Sequence, residues 1–204
     1  MEFADVLRKR RMVRSFTDEP VDTASVERIL HAAQRGPSAG YSQGVEFVVV
    51  TDDEMRHRIA GGGLGDERPK KMGMQPFVSQ ARVHVVICTS PELYRQRYRE
   101  PDKFRLREKV SDDDLWRVPY WYTDAGCAMM LILLAAVDEG LAAGFMGLPP
   151  AHLRGLLGIP EEYIPVGVAL IGHEAPDARQ YNDIGVTTPK PKRPAKDVVH
   201  RGKW

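Results

Sequence analysis

The chain has 204 residues, 43% of them hydrophobic and 28% charged, with 29 Lys and Arg against 28 Asp and Glu. That length suits one domain with its own core, and the composition is that of an ordinary globular protein. A formal net charge of +1 provides no global field for nucleic acid or an anionic membrane.

Phe3, Val6, Leu7 and Val13 predict a first helix over residues 2–12, with Arg8–Arg11 in its last turns. Arg10 and Arg14 then stand at i, i+4, and Arg11 and Arg14 at i, i+3, so three guanidiniums share one side of the chain. Like charges at this spacing cost an isolated helix about 0.2–0.5 kcal/mol each. A phosphate would reverse the sign, because a charge-assisted contact is worth about 1.5–3 kcal/mol. Taken alone, the cluster reads more plainly as a solvated basic face balanced by Glu2 and Asp5.

Asp22 and Thr23 are natural caps for a second helix, in which Val26, Ile29, Leu30 and Ala33 form one apolar stripe. Gly36-Pro37 stops it and opens a turn that runs to Gln43. Pro37 fixes φ, Gly36 and Gly40 admit unusual backbone angles, and Ser38 and Ser42 offer small donors. Gln43 can present both a donor and an acceptor to the edge of a heterocycle. Following the arginines by one helix, this turn makes a phosphorylated, planar cofactor the leading hypothesis.

Val45–Thr51 reads as a strand, and Asp52 as the cap of a helix reaching Ala60. The cluster Gly61-Gly62-Gly63-Leu64-Gly65 follows a helix rather than a strand, so it is a connection and not a phosphate loop. Val83–Thr89 is a fully buried strand. The charged stretch 91–118 carries Tyr94, Tyr98, Phe104 and Trp116, and reads either as a lid or partner-facing excursion or as a solvated surface helix. Thr123 and Asp124 begin an apolar helix through Asp138. Just before it, Trp116, Tyr120, Trp121 and Tyr122 suit either core packing or a stacking wall for planar substrates.

Gly140–Met146 forms a short strand, Pro149 and Pro150 start a helix that Gly158 stops, and Val166–Ile171 is the last strand. Residues 176–194 are polar and Pro-rich, so the tail is either loose or extended along another subunit. Cys88 and Cys127 read as buried thiols, and two cysteines do not supply a zinc ligand set. The six histidines are scattered without carboxylate partners and read as surface residues, so no catalytic acid or base is nominated. Met1–Asp5 lacks the apolar run of a signal peptide and Ala128–Val137 is too short to span a bilayer, so a cytoplasmic protein is expected. The elements predict an α+β class and one domain over 1–204, with a lid over 91–118 and a tail over 173–204.

Five segments occur in a telling order: Arg10-Arg11-Met12-Val13-Arg14-Ser15-Phe16, Pro37–Gln43, Gly140–Gly147, Leu156–Gly172 and Arg193–Val199. Together they resemble the nitroreductase family, dimeric FMN-dependent NAD(P)H oxidoreductases. The resemblance implies a central mixed β-sheet wrapped by helices, a homodimer with two flavins at its interface, and a C-terminal tail across the partner. Arg10, Arg11, Arg14 and Arg193 would hold the FMN phosphate and ribityl chain. Pro37, Ser38 and Ala39, from the other subunit, would pass under the ring, with Tyr41 and Gln43 in the same turn. Met146 and Gly147 would lie over the pyrimidine side.

Three positions depart from the family pattern. Met12 stands where Ser is usual, Tyr41 where Asn is usual, and Gly44-Val45 where Pro-Trp is usual. A thioether at position 12 does no acid–base work, which argues against the related activity that breaks FMN down. The expected reaction is ping-pong hydride transfer from NAD(P)H through the flavin to a nitroaromatic or quinone. A flavin store or sensor without turnover, and a deazaflavin-linked reductase of the same family, remain as alternatives.

Overall fold

Strand β2, Val83–Thr89, is buried at every residue, as its unbroken apolar run requires. Its side chains alternate between two cores: Val83, Val85 and Ile87 on one face, Val86 and Cys88 on the other. The computed structural model describes residues 1–63, 65–103, 109–176, 178 and 191–204. Leu64, Phe104 and most of the Pro-rich tail lie outside the described residues.

Beside β2 stand β1 (Val45–Val50) and β4 (Ile164–Gly172), and β3 (Ala142–Met146) completes the order β1-β2-β4-β3. All three pairings are antiparallel, which corrects the expected mixed sheet for the described strands. The reason is topological. β2 and β3 run the same way, but β4 enters between them and opposes both. The α+β class stands.

On one face, helices α2 (Thr23–Ala33) and α8 (Tyr120–Asp138) cover the sheet through Val26, Ile29, Ala33, Ile132, Leu133 and Ala136. On the other, α3 (Asp53–Ala60), α5 (Phe77–Gln80) and α9 (Pro150–Leu157) contribute Ile59, Ala60, Phe77, Val78 and Leu153. Fully burying each of the larger side chains stabilises by about 1.5–3 kcal/mol. Asp22 accepts the Ser25 N–H at 2.9 Å and Asp52 the Met55 N–H at 2.8 Å, as caps should. Gly158 ends α9 with φ 65°. A short α4 (Glu67–Lys71) lies between α3 and α5.

Several expectations are corrected. Helix α1 spans Phe3–Lys9, and Arg10 already has an extended backbone, φ −59° and ψ 125°. The chain leaves the helix because Val13 docks on the sheet edge, its N–H on the Ala143 carbonyl at 3.0 Å. Helix α8 starts at Tyr120 instead of Thr123, so Asp124 lies inside it and is buried. The 91–118 stretch opens with α6 (Pro91–Arg97), capped by Ser90, and its Tyr94 is wholly buried. A short α7 (Asp112–Leu115) precedes α8. His84 is a core residue, with Nε2 2.7 Å from the Val78 carbonyl, and burial pushes its pKa down to about 4. The surface reading therefore fails for this histidine.

The tail does not leave the domain at 173. Thr17 N–H donates to His173 O at 2.9 Å, Ala175 N–H to Ser15 O at 3.2 Å, and Ala178 is buried. Residues 191–204 are exposed throughout. The stretch Asp112–Asp138 has the length and composition of a membrane-crossing helix, but its buried stripe packs against the sheet core.

Candidate functional site

The turn before β1 is the most constrained backbone among the described residues. Gly40, Tyr41 and Gln43 have φ of 64°, 60° and 52°. For side chains other than glycine that region costs about 1–2 kcal/mol each. Local hydrogen bonds offset this: Ser38 Oγ accepts the Gln43 N–H at 2.7 Å, and Tyr41 N–H reaches Ser38 O at 2.8 Å. Ser42 donates its hydroxyl to Ala39 O at 2.6 Å. An Asn, the usual family residue at 41, tolerates this conformation better than Tyr does. Tyr41 is 72% exposed, so its ring adds little packing in return.

Asp124 anchors the turn from α8, accepting the Ala39 N–H at 2.8 Å and the Tyr94 hydroxyl at 2.7 Å. Burial, and then the adjacent Asp124 carboxylate, push the Tyr94 phenol well above its ordinary pKa. A cavity of about 510 Å³ opens here, with Pro37, Ser38, Tyr41, Gln43 and Asp124 among its lining. That size is within the usual range of small-molecule sites.

The basic segment behaves as an extended chain. Val13 enters one core and its neighbour Met12 packs against the other, so these two side chains point to opposite sides. The helical spacing expected for the three guanidiniums is thereby corrected, since the helix ends at Lys9. Arg11 is paired with Glu174 at 2.7 Å. Arg11 and Glu174 line a separate cavity of about 770 Å³ with Arg8, Lys9 and Leu141.

One chain does not bring its two halves together. Val45, next to the turn, is level with Ile164 across β2, whereas Ala143, next to Val13, is level with Ile171. Seven residues along β4 and three strand spacings across the sheet separate them, about 24 Å and about 14 Å. Met146, opposite Val168, and exposed Gly147 sit at the far end of β3. A Cβ added to Gly147 would meet nothing within 4 Å, so its backbone is approachable. Arg193 is exposed and donates to the Asp197 carbonyl within the tail.

The aromatic group divides. Trp121 is core, in edge contact with Tyr94 at 6.2 Å and tilted against Trp116 at 5.7 Å. Tyr120 and Tyr122 are exposed. The sequence reading placed Tyr94 and Tyr98 in a possible lid and Asp124 at a helix start, and missed their contacts with the turn. Their only signal is the matched spacing of Gly40 and Gly44 with Tyr94 and Tyr98.

A family model described as "Nitroreductase family" matches residues 7–173. An FMN reductase [NAD(P)H] of Bacillus subtilis is 28% identical over 96% of this chain and 71% of its own. An NADH dehydrogenase of Thermus thermophilus is 27% identical over 79% of this chain and 82% of its own. A solved nitroreductase family protein from Streptococcus pneumoniae superposes with TM-score 0.73 at 21% identity, over 98% of this chain and 100% of that one.

Proposed function

The chain belongs to the nitroreductase family, and from that premise we propose that it works as a cytoplasmic homodimer whose flavin sites are each built from both subunits. It is a flavin-dependent NAD(P)H oxidoreductase that uses FMN. When bound, FMN would supply the redox chemistry, a ping-pong exchange of hydride between NAD(P)H and an electron-poor acceptor such as a nitroaromatic or quinone.

The residues present suit that group. Arg10 and Arg14 stand on one short segment beyond helix α1, and each offers a phosphate a bidentate fork worth about 1.5–3 kcal/mol. Arg193 joins them from the tail. Arg11 serves at the rim, steadied by Glu174, and Met12 covers the ribityl side with a thioether. The partner subunit's Pro37, Ser38 and Ala39 form an apolar floor for a flat ring. Tyr41 and Gln43 edge that floor, while the backbone N–H groups around Met146 and Gly147 face the ring's polar end. These groups bind, orient and exclude water. Proton delivery falls to solvent or substrate, because no histidine or carboxylate is nominated to move one.

The observation that carries this reading is the separation of the two halves within one chain, since a second copy is what would bring a cationic segment to a turn. Exposed Phe3 and Leu7 on α1 and Met130 on α8 supply apolar surface for that copy. On this reading the tail beyond 190 lies along the partner, and the aromatic stretch 91–118 borders the substrate.

The absorbance spectrum of the purified protein is the test. A flavin band that bleaches on anaerobic mixing with NADH or NADPH supports the reading. A band that survives mixing identifies a flavin store, and a band shifted to the blue identifies a deazaflavin.

A further inference from the structure

Helix α6 carries Tyr94, and Tyr98 caps its C-terminus four residues on, one helical turn. The turn before β1 carries Gly40 and Gly44 at the same interval. Each ring lies on one glycine: a Cβ on Gly40 would meet Tyr98 Cε2 at 2.5 Å, and a Cβ on Gly44 would meet Tyr94 Cε2 at 2.5 Å. One carboxylate oxygen of Asp124 accepts both the Tyr94 hydroxyl, at 2.7 Å, and the Ala39 N–H, at 2.8 Å. Tyr98 is in turn backed by Trp116, edge to face at 5.2 Å.

We propose that Asp124, Tyr94 and Tyr98 form a clamp that sets the attitude of the 38–43 turn toward the flavin ring. They are positioning residues, acting through the backbone of Ala39 and the surface of Gly40. The bonds within the turn, Ser38 to Gln43 and Ser42 to Ala39, close the loop on itself. They do not fix how it tilts against the sheet. That orientation comes from outside, through an acceptor on α8, one ring on α6 and a second at its C-terminal cap. A turn whose backbone approaches a planar cofactor must be held to a few tenths of an ångström, and clamping from two elements achieves this where loop-internal bonds do not.

The inference rests on the reading of this turn as flavin-facing. The test uses the full-length protein with FMN, reading the dissociation constant, the visible circular dichroism of the bound flavin and its midpoint potential. Asp124→Leu strands the buried Tyr94 hydroxyl and the half-buried Ala39 N–H, and Tyr98→Leu uncovers Gly40. Each is expected to weaken FMN binding about tenfold and to alter the dichroism and potential. Asp124→Asn retains an oxygen for both donors and is expected to recover most of the loss, and Tyr94→Phe to fall between.

Folded Asp124→Leu and Tyr98→Leu proteins with unchanged constants, dichroism and potential overturn the clamp, as does an Asp124→Asn protein no better than Asp124→Leu. If Asp124→Leu does not fold, Tyr98→Leu and Tyr94→Phe decide the matter. A wild-type protein that binds no FMN is a separate failure: it overturns the functional reading, and the clamp's role with it.

Discussion

Replacing Gly40 by Ala tests the turn most directly. An L-residue at φ 64° costs about 1–2 kcal/mol. The new methyl would also stand 2.5 Å from Tyr98 Cε2 and 3.0 Å from Cζ, well inside contact distance. Tyr98 cannot simply swing away, because Trp116 backs it and the Lys103 ammonium lies 5.8 Å from its ring centre. Overpacking of this kind costs about 1–3 kcal/mol, so the whole substitution should destabilise by about 2–5 kcal/mol. For a chain of this size that lowers Tm by about 4–20 °C, measured on flavin-free protein at fixed concentration so that ligand and dimer linkage do not intrude. A double-mutant cycle separates the two parts. Adding Tyr98→Ala removes the clash but not the backbone cost, so the double variant should be more stable than the sum of the singles by about 1–3 kcal/mol. Additivity within about 0.5 kcal/mol would refute the packing of Tyr98 on Gly40.

Other consequences follow from the same geometry. Arg14→Ala should weaken FMN binding by about 10- to 100-fold, whereas Arg11→Ala, with Glu174 as its partner, should change it by less than about threefold in fluorescence titration. The depressed pKa of His84, about 4 against an ordinary 6.5, means that the unfolded chain takes up this proton first. Stability from this group is therefore full above pH 6.5 and is lost as pH falls toward 4, by up to about 3 kcal/mol. In urea denaturation His84→Gln should flatten that slope relative to wild type, and an unchanged slope would count against the buried neutral imidazole. Leu7→Glu, at a half-exposed site on α1, should shift the protein to monomers in sedimentation and strip its flavin. A variant that stays dimeric and yellow would place the interface elsewhere.

Most of the framework could be read from local patterns. Val83–Thr89 has no polar break, Asp22 and Asp52 stand ahead of apolar periodicity, and Gly158 follows the last turn of its helix, so short-range rules sufficed. Arg10–Arg14 defeated them. Helical periodicity carried the eye through Val13, but a hydrogen bond to Ala143, some 130 residues away in sequence, draws that segment straight. Asp124 was misread for a similar reason. An Asp near the start of an apolar helix looks like a cap, and only the packing of α6 and the turn around it shows a buried acceptor with two donors. Its partner Tyr94 sits in a charged stretch whose composition suggests surface, yet one face of α6 is core. The mixed sheet failed on topology, since strand order is set by where β4 inserts, which no local pattern records.

The placement of the arginine segment and the Pro37–Gln43 turn at opposite corners of one sheet carries a genetic corollary. On the proposed arrangement, in which two copies share each pocket, a lesion at either corner spoils one wall of each, so two differently crippled polypeptides would rescue one another when mixed. Among randomly reassorted pairs about a quarter of all pockets would regain both sound walls. Inheritance of two defective alleles would then restore part of what neither supplies by itself.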